Sequence, residues 1–112
     1  MKFSILSQLP NHQKCNKKFV LKFNNAEDLF LSKLKIFKEK KFLFFPEEKI
    51  DYTYQEFFKE YSKISNILLN KKLKKGDKIS IIFHNESNFL TIYFAALALG
   101  IIVVPINPDL SF

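Results

Sequence analysis

The chain has 112 residues, 47% hydrophobic and 16% aromatic, with 14 Phe among them. That is enough for one small domain and too little for two, and the composition excludes a disordered tail. The formal charge of +7 rests on 18 basic residues, all of them Lys; with no Arg, the planar fork that reads phosphate or guanine bidentately is missing, and the basic balance reads as solvated surface.

Residues 1–24 carry little pattern. Phe19–Phe23 has the composition of a short strand, and Asn11–Lys14 that of a loop. His12 has no second metal-ligating residue at ligand spacing, which makes it an exposed loop histidine. Cys15 lies among Lys14, Lys17 and Lys18 but has no general base, and as the only cysteine it forms no internal disulfide. A lone thiol suits a reducing cytoplasm. The opening Met1–Leu6 has one Lys before a short mixed run broken by Gln8 and Pro10, too polar for a signal peptide.

From Asn25 to about Lys40 the spacing predicts a helix. Asn25 caps it, Glu27 and Asp28 lie at its positive end, and Lys33, Lys35, Lys38 and Lys40 crowd its negative end. Phe30, Leu34 and Phe37 form an apolar stripe, widened by Ala26 and Leu31. Phe42–Phe45, Pro46–Lys49 and Ile50–Tyr52 then read as strand, tight connection and short strand. The connection lacks Gly, and Glu47 and Glu48 are read as keeping it solvated. Thr53-Tyr54-Gln55-Glu56 is a capping box, with Tyr52 and Phe57 at the staple positions. Phe57, Tyr61, Ile64 and Leu68 mark the buried face of the helix that follows, widened by Phe58 and Ile67. The helix ends near Asn70, a candidate for the left-handed C-terminal position.

Ile79–Phe83 is a β-branched apolar run, expected to be a strand covered on both faces. His84–Ser87 breaks it, and Asn85 or Ser87 is expected to cap a helix, with Glu86 favourable at its positive end. Phe89, Ile92, Tyr93, Ala96 and Leu97 recur at helical spacing. Gly100 stands at a left-handed stop, and Ile101–Ile106 returns to strand chemistry, with Pro105 expected to limit a regular ladder. Strand, helix and strand with short connections make a βαβ unit, a right-handed crossover between parallel strands. The uncharged stretch Ser87–Pro108 is not a membrane span: Gly100 and Pro105 interrupt it and its second half is β-branched. Strands apolar on both faces belong in a larger sheet than two strands make.

Three of these stretches carry a family resemblance. The run LALGIIVVPINPDL resembles the second core motif of the adenylate-forming (AMP-binding) enzymes. Tyr52–Phe57 is similar to their first core motif, and Leu73–Ile79, with Gly76-Asp77, to the strand lead-in between the two. The three stand in the family's order over about Lys41 to Leu110. The resemblance implies an α/β fold, the amino-terminal portion of such an enzyme's large domain: helix, hairpin, helix, then a parallel βαβ unit. Residues 25–112 are expected to be this incomplete domain. It implies an ATP-dependent ligase that joins a carboxylate to AMP and passes the acyl group to a thiol, with ATP, Mg2+ and coenzyme A serving the complete enzyme. Asn107, where amino-acid-activating relatives carry Asp, leans the resemblance toward fatty or aryl acid–CoA ligases. The family's phosphate loop, ribose-binding Asp and catalytic Lys would follow Phe112. No catalytic, cofactor-binding or metal-ligating residue is therefore assigned here, and the expected partner is the remainder of the synthetase. On the residues alone two other readings stay open: a basic module for nucleic acid or a membrane surface, and a stand-alone structural domain without chemistry.

Overall fold

A computed structural model describes residues 22–84 and 86–110. The expectations for His12, Cys15, Asn85 and the first part of the Phe19–Phe23 run lie outside those residues. Lys22 and Phe23 are irregular. The elements are α1 (Ala26–Phe37), β1 (Lys41–Phe45), β2 (Ile50–Thr53), α2 (Tyr54–Asn70), β3 (Lys78–Ile82), α3 (Ser87–Ala98) and β4 (Ile102–Ile106). β1 and β2 form an antiparallel hairpin, and β3 and β4 a separate parallel pair. The α/β class and the helix–hairpin–helix–βαβ order are those expected.

α1 begins as its sequence requires: the Asn25 side chain accepts from the Asp28 N–H at 2.8 Å. Its stripe closes on Phe30, which is 4% exposed. Around that ring stand Phe42, Tyr54, Phe57, Tyr61 and Phe94, at centroid separations from 5.2 to 5.8 Å and mostly edge to face. Edge-to-face pairs set the positive rim of one ring against the negative face of the next. Phe42 and its neighbour Leu43 both pack against this core, which strict strand alternation forbids. A register shift between Lys41 and Leu43 permits it, a bulge that turns the extra residue inward.

The capping box forms in full. Thr53 Oγ1 accepts from the Glu56 N–H at 3.2 Å, and the Thr53 N–H donates to Glu56 Oε2 at 2.8 Å. The next free donors of α2 are satisfied across the chain, Tyr54 N–H by the Lys40 carbonyl and Gln55 N–H by that of Lys38. Tyr52 and Phe57, the staple pair, lie 6.2 Å apart between centroids. Phe57 and Tyr61 are buried as expected, whereas Ile67 is half exposed and does not widen the face. The left-handed position at the end of α2 is taken by Lys72, with φ of 62°, not by Asn70, which is still helical. Lys72 N–H donates to Leu69 and Leu73 N–H to Leu68, a Schellman closure that places the positive φ two residues past the last helical one.

The βαβ unit closes as the sequence implies but is oriented differently. The core-facing residues of α3 are Leu90, Phe94, Ala95 and Ala98, with Ser87 and Thr91 also buried. Phe89, Ile92, Tyr93, Ala96 and Leu97, which recur at helical spacing, lie round the other side, where only Ala96 is fully buried. This helix is apolar almost all round, so periodicity cannot say which side meets the aromatic core. Its cap differs too: Glu86 is the N-cap residue and makes no side-chain capping bond, while Ser87 is already helical. Gly100 takes φ of 70° as predicted, and Ile101 N–H reaches back to the Ala96 carbonyl. β4 does not stop at Pro105 but runs through it to Ile106, in register with Ile81 and Ile82. Proline is tolerated because both strands of a two-stranded sheet are edge strands.

Two outcomes check this description. Thr53→Ala is expected to lower stability by ~1 kcal/mol, read as a shift in the urea midpoint. Tyr61 is 1% exposed and its hydroxyl donates to Glu27 Oε1 at 3.4 Å; burial first, then the Glu27 carboxylate, push the phenol well above its ordinary range. A pKa raised on folding adds stability that is present below the unfolded phenol value of about 10 and lost as pH rises beyond it. A phenolate absorbance titration should show a late phase that disappears in Tyr61→Phe.

Candidate functional site: an open crevice and an open sheet face

The two glycines of the chain meet at the entrance to the parallel sheet. Gly76, at φ of 91°, donates its N–H to the Gly100 carbonyl at 3.0 Å, and Ile102 N–H donates to the Asp77 carbonyl at 2.8 Å. The Asp77 carboxylate holds the turn by accepting from Lys74 N–H at 2.8 Å. A Cβ on Gly100 would lie 2.9 Å from Lys75 Cγ. Gly76, Asp77 and Gly100 thus start β3 and β4 side by side, and neither glycine is left to cradle a phosphate.

At the far end, beyond the carboxyl ends of β3 and β4, lies a crevice of 520 Å³ walled by Phe83, Phe89, Pro105 and Pro108. Ligands of parallel α/β sheets gather at this end of the strands. Its polar groups are His84, Asn107 and Asp109: His84 Nδ1 stands 3.9 Å from Asp109 Oδ2, and Asn107 Oδ1 accepts from Asp109 N–H at 2.9 Å. Both members of the His84–Asp109 pair are mostly exposed, where such a pair is worth little. The lining offers no hydroxyl, thiol or amine nucleophile. Among the described residues no group of three His, Cys, Asp or Glu could hold a metal ion.

Glu48, read from sequence as a solvated turn residue, does more. Its Oε1 accepts from the Ser87 N–H and its Oε2 from the Ser87 hydroxyl, both at 2.6 Å. The carboxylate sits at the positive end of α3 and supplies the cap that Glu86 does not. Glu47 is exposed, as expected. No local signal points to this contact, since 39 residues separate the partners.

Among the described residues, the outer face of the parallel sheet is exposed. Ile79 and Ile81 of β3 and Val103 of β4 alternate with Ile82, Ile102, Val104 and Ile106, which are 58%, 48%, 42% and 38% exposed. β3 is therefore covered on one face only, not on both.

The AMP-binding enzyme family matches residues 32–111. The chain belongs to this family. The long-chain fatty acid transport protein 6 of Homo sapiens is 34% identical over 84 residues, 74% of this AMP-binding family chain and 13% of that protein. A crotonobetaine/carnitine–CoA ligase of Escherichia coli is 32% identical over 59 residues, 53% of this chain and 11% of the ligase. The AMP-binding family chain thus spans only a small part of the curated relatives it matches. Among solved structures, the N-terminal subdomain of Klebsiella oxytoca NpsA superposes with a TM-score of 0.71 at 24% identity, over 78% of this chain and 22% of that one. A Mycobacterium tuberculosis fatty acyl CoA synthetase gives 0.72 at 21%, over 78% and 17%. At these identities the structures establish the fold: the chain superposes on part of the N-terminal subdomain of adenylate-forming enzymes. No described helix is long and apolar enough to cross a membrane.

Removing the Glu48 carboxylate leaves a buried hydroxyl and a helix N–H without an acceptor. Glu48→Ala is expected to lower stability by ~2 kcal/mol, the scale of hydrogen bonds to a charged group. A urea midpoint unchanged from the wild type would show that this contact contributes nothing.

Proposed function

We propose that this chain is the amino-terminal part of an ATP-dependent, AMP-forming acid–thiol ligase of the acyl-CoA synthetase type. The observation that carries the reading is the joint placement of the three family motifs. The capping box starts α2, the Gly76-Asp77 turn starts β3, and the Gly100-to-Pro108 run closes the βαβ unit, all in the family's order. In the complete ligase a carboxylate would be activated as its acyl-adenylate and passed to coenzyme A, with Mg2+ on the nucleotide. The names of the curated relatives, a fatty acid transport protein and a CoA ligase, support an acyl or related small acid as the substrate class. The single Cys15 supports a reducing compartment, the cytoplasm.

The described residues do not themselves fit a nucleotide. Phosphate cradles need glycine-rich backbone, and the only two glycines are committed to the sheet entrance. The contribution of this chain is a scaffold on which a nucleotide-binding remainder is completed, and no step of the chemistry is assigned to its residues.

Two measurements test the reading. Calorimetry should detect no saturable ATP binding to the chain alone. The Escherichia coli ligase lacking the 59 residues it shares with this chain should be inactive, and co-expression with the chain should restore crotonobetaine-dependent pyrophosphate release. A reconstituted mixture that stays inactive, or a lone chain that binds ATP, counts against it.

A further inference from the structure

We propose that the groove between α1 and the aromatic core is a binding site for a small aryl monocarboxylate, held by the Lys33 ammonium. The groove has a volume of 340 Å³ and is lined by Ala26 and Leu29 and by the rings of Phe30, Phe42, Tyr54 and Phe94, with Lys33 as its one charged group. Ligand sites are concave and mostly apolar, roughly 300–1,000 Å³, with a few polar groups that fix orientation. Four elements build this one: α1 forms one wall, and β1, the first residue of α2 and α3 supply Phe42, Tyr54 and Phe94. The rings already pack on one another, Phe30 and Phe94 at 5.2 Å and Phe42 and Tyr54 at 4.6 Å between centroids. The aromatic wall is therefore formed before any ligand arrives.

Two observations choose the ligand. Four of the lining side chains are aromatic, so a flat aryl body can stack on them or set its edge against them. The Lys33 side chain is exposed and enters no ion pair among the described residues. The acids in the first turn of α1 are engaged elsewhere: Glu27 Oε1 accepts from the Tyr61 hydroxyl at 3.4 Å, and Asp28 Oδ2 from the Asn24 N–H at 3.3 Å. A carboxylate would pair with the ammonium beside an apolar wall, where a charge-assisted hydrogen bond is stronger than on open surface. A cationic ligand would instead meet Lys33 and the chain's net +7. This site lies apart from the crevice at His84 and Asp109 and does not rest on the ligase reading, since neither nucleotide nor thiol takes part. An acid bound here touches α1, β1, α2 and α3 together and stabilises their packing as its concentration rises.

The test is equilibrium dialysis of the full chain against 2-naphthoate, with 2-naphthamide as the uncharged isostere and 2-naphthylmethylamine as the cation. Naphthoate is expected to bind saturably and at least tenfold more tightly than the amide, and the amine more weakly than either. Lys33→Gln should erase the preference for naphthoate and leave binding of the amide unchanged. Lys35→Gln, at an exposed α1 lysine off the lining, should bind like the wild type. Leu29→Trp, which fills the groove and keeps the charge, should weaken naphthoate at least tenfold. Saturating naphthoate should also raise the thermal midpoint of the wild type and not that of Lys33→Gln. Absence of saturation, equal binding of naphthoate and amide, or an equal loss in Lys35→Gln overturns the proposal. Self-association of the chain that Leu29→Lys abolishes also overturns it and makes a second copy the occupant. The mixture holds no ATP and no thiol, so failure here leaves the ligase reading standing, and an inactive ligase mixture leaves this site standing.

Discussion

The packing of rings around Phe30 is the constraint from which the rest of the structure follows. Phe30 is the one residue of α1 that is fully buried, and the rings around it come from β1, α2 and α3. Each aromatic pair adds ~0.5–1.5 kcal/mol beyond the burial of its area, so this one contact set holds four elements at once. With α1, the hairpin and α2 fixed, α3 has a single seat, with Phe94 turned into the cluster. Seating α3 this way decides which side of it remains for the parallel sheet. That choice in turn leaves one face of the sheet outward.

Around that core the helix ends are satisfied by separate devices, and several fall in the motifs that mark the family. The capping box and the Lys38 and Lys40 carbonyls satisfy the start of α2, while Glu48 from the hairpin turn satisfies the start of α3. Left-handed residues close the other ends, at Lys72 and Gly100. Lys72 takes this conformation although an L side chain is strained there; the Schellman bonds and the need to turn toward Gly76 hold it. Read physically, the family motifs in this chain are instructions for starting and stopping elements.

The division of labour explains the surface as well. The described lysines are all exposed, most of them on helices and turns, without the interleaved aromatics that stack bases. Exposed apolar side chains occur on helices too, as at Ile36 and Ile67, and the parallel sheet adds a group of β-branched ones at Ile82, Ile102, Val104 and Ile106.

The sequence by itself determined the elements, their order and several of their ends. The Asn25 cap, the Thr53–Glu56 box, the Gly100 stop and the parallel βαβ unit all rest on interactions within a few residues, or on periodicities that local backbone geometry imposes. Burial was legible on α1 and α2, which have one apolar stripe each, apart from Ala26 and Ile67 at the margins, both exposed. It was not legible on α3, because a helix apolar on nearly every side has no preferred face until neighbours choose one. The same limit applies to Glu48: a carboxylate in a turn reads as solvated until folding brings a helix N-terminus from 39 residues away. The crevice at His84 and Asp109 exists only because adjacent parallel strands bring their carboxyl ends to one edge. Only the tertiary structure decided these, since each depends on contacts between segments distant in the chain. It also decided that β3 is covered on one face, since coverage depends on what packs against a strand as well as on its composition.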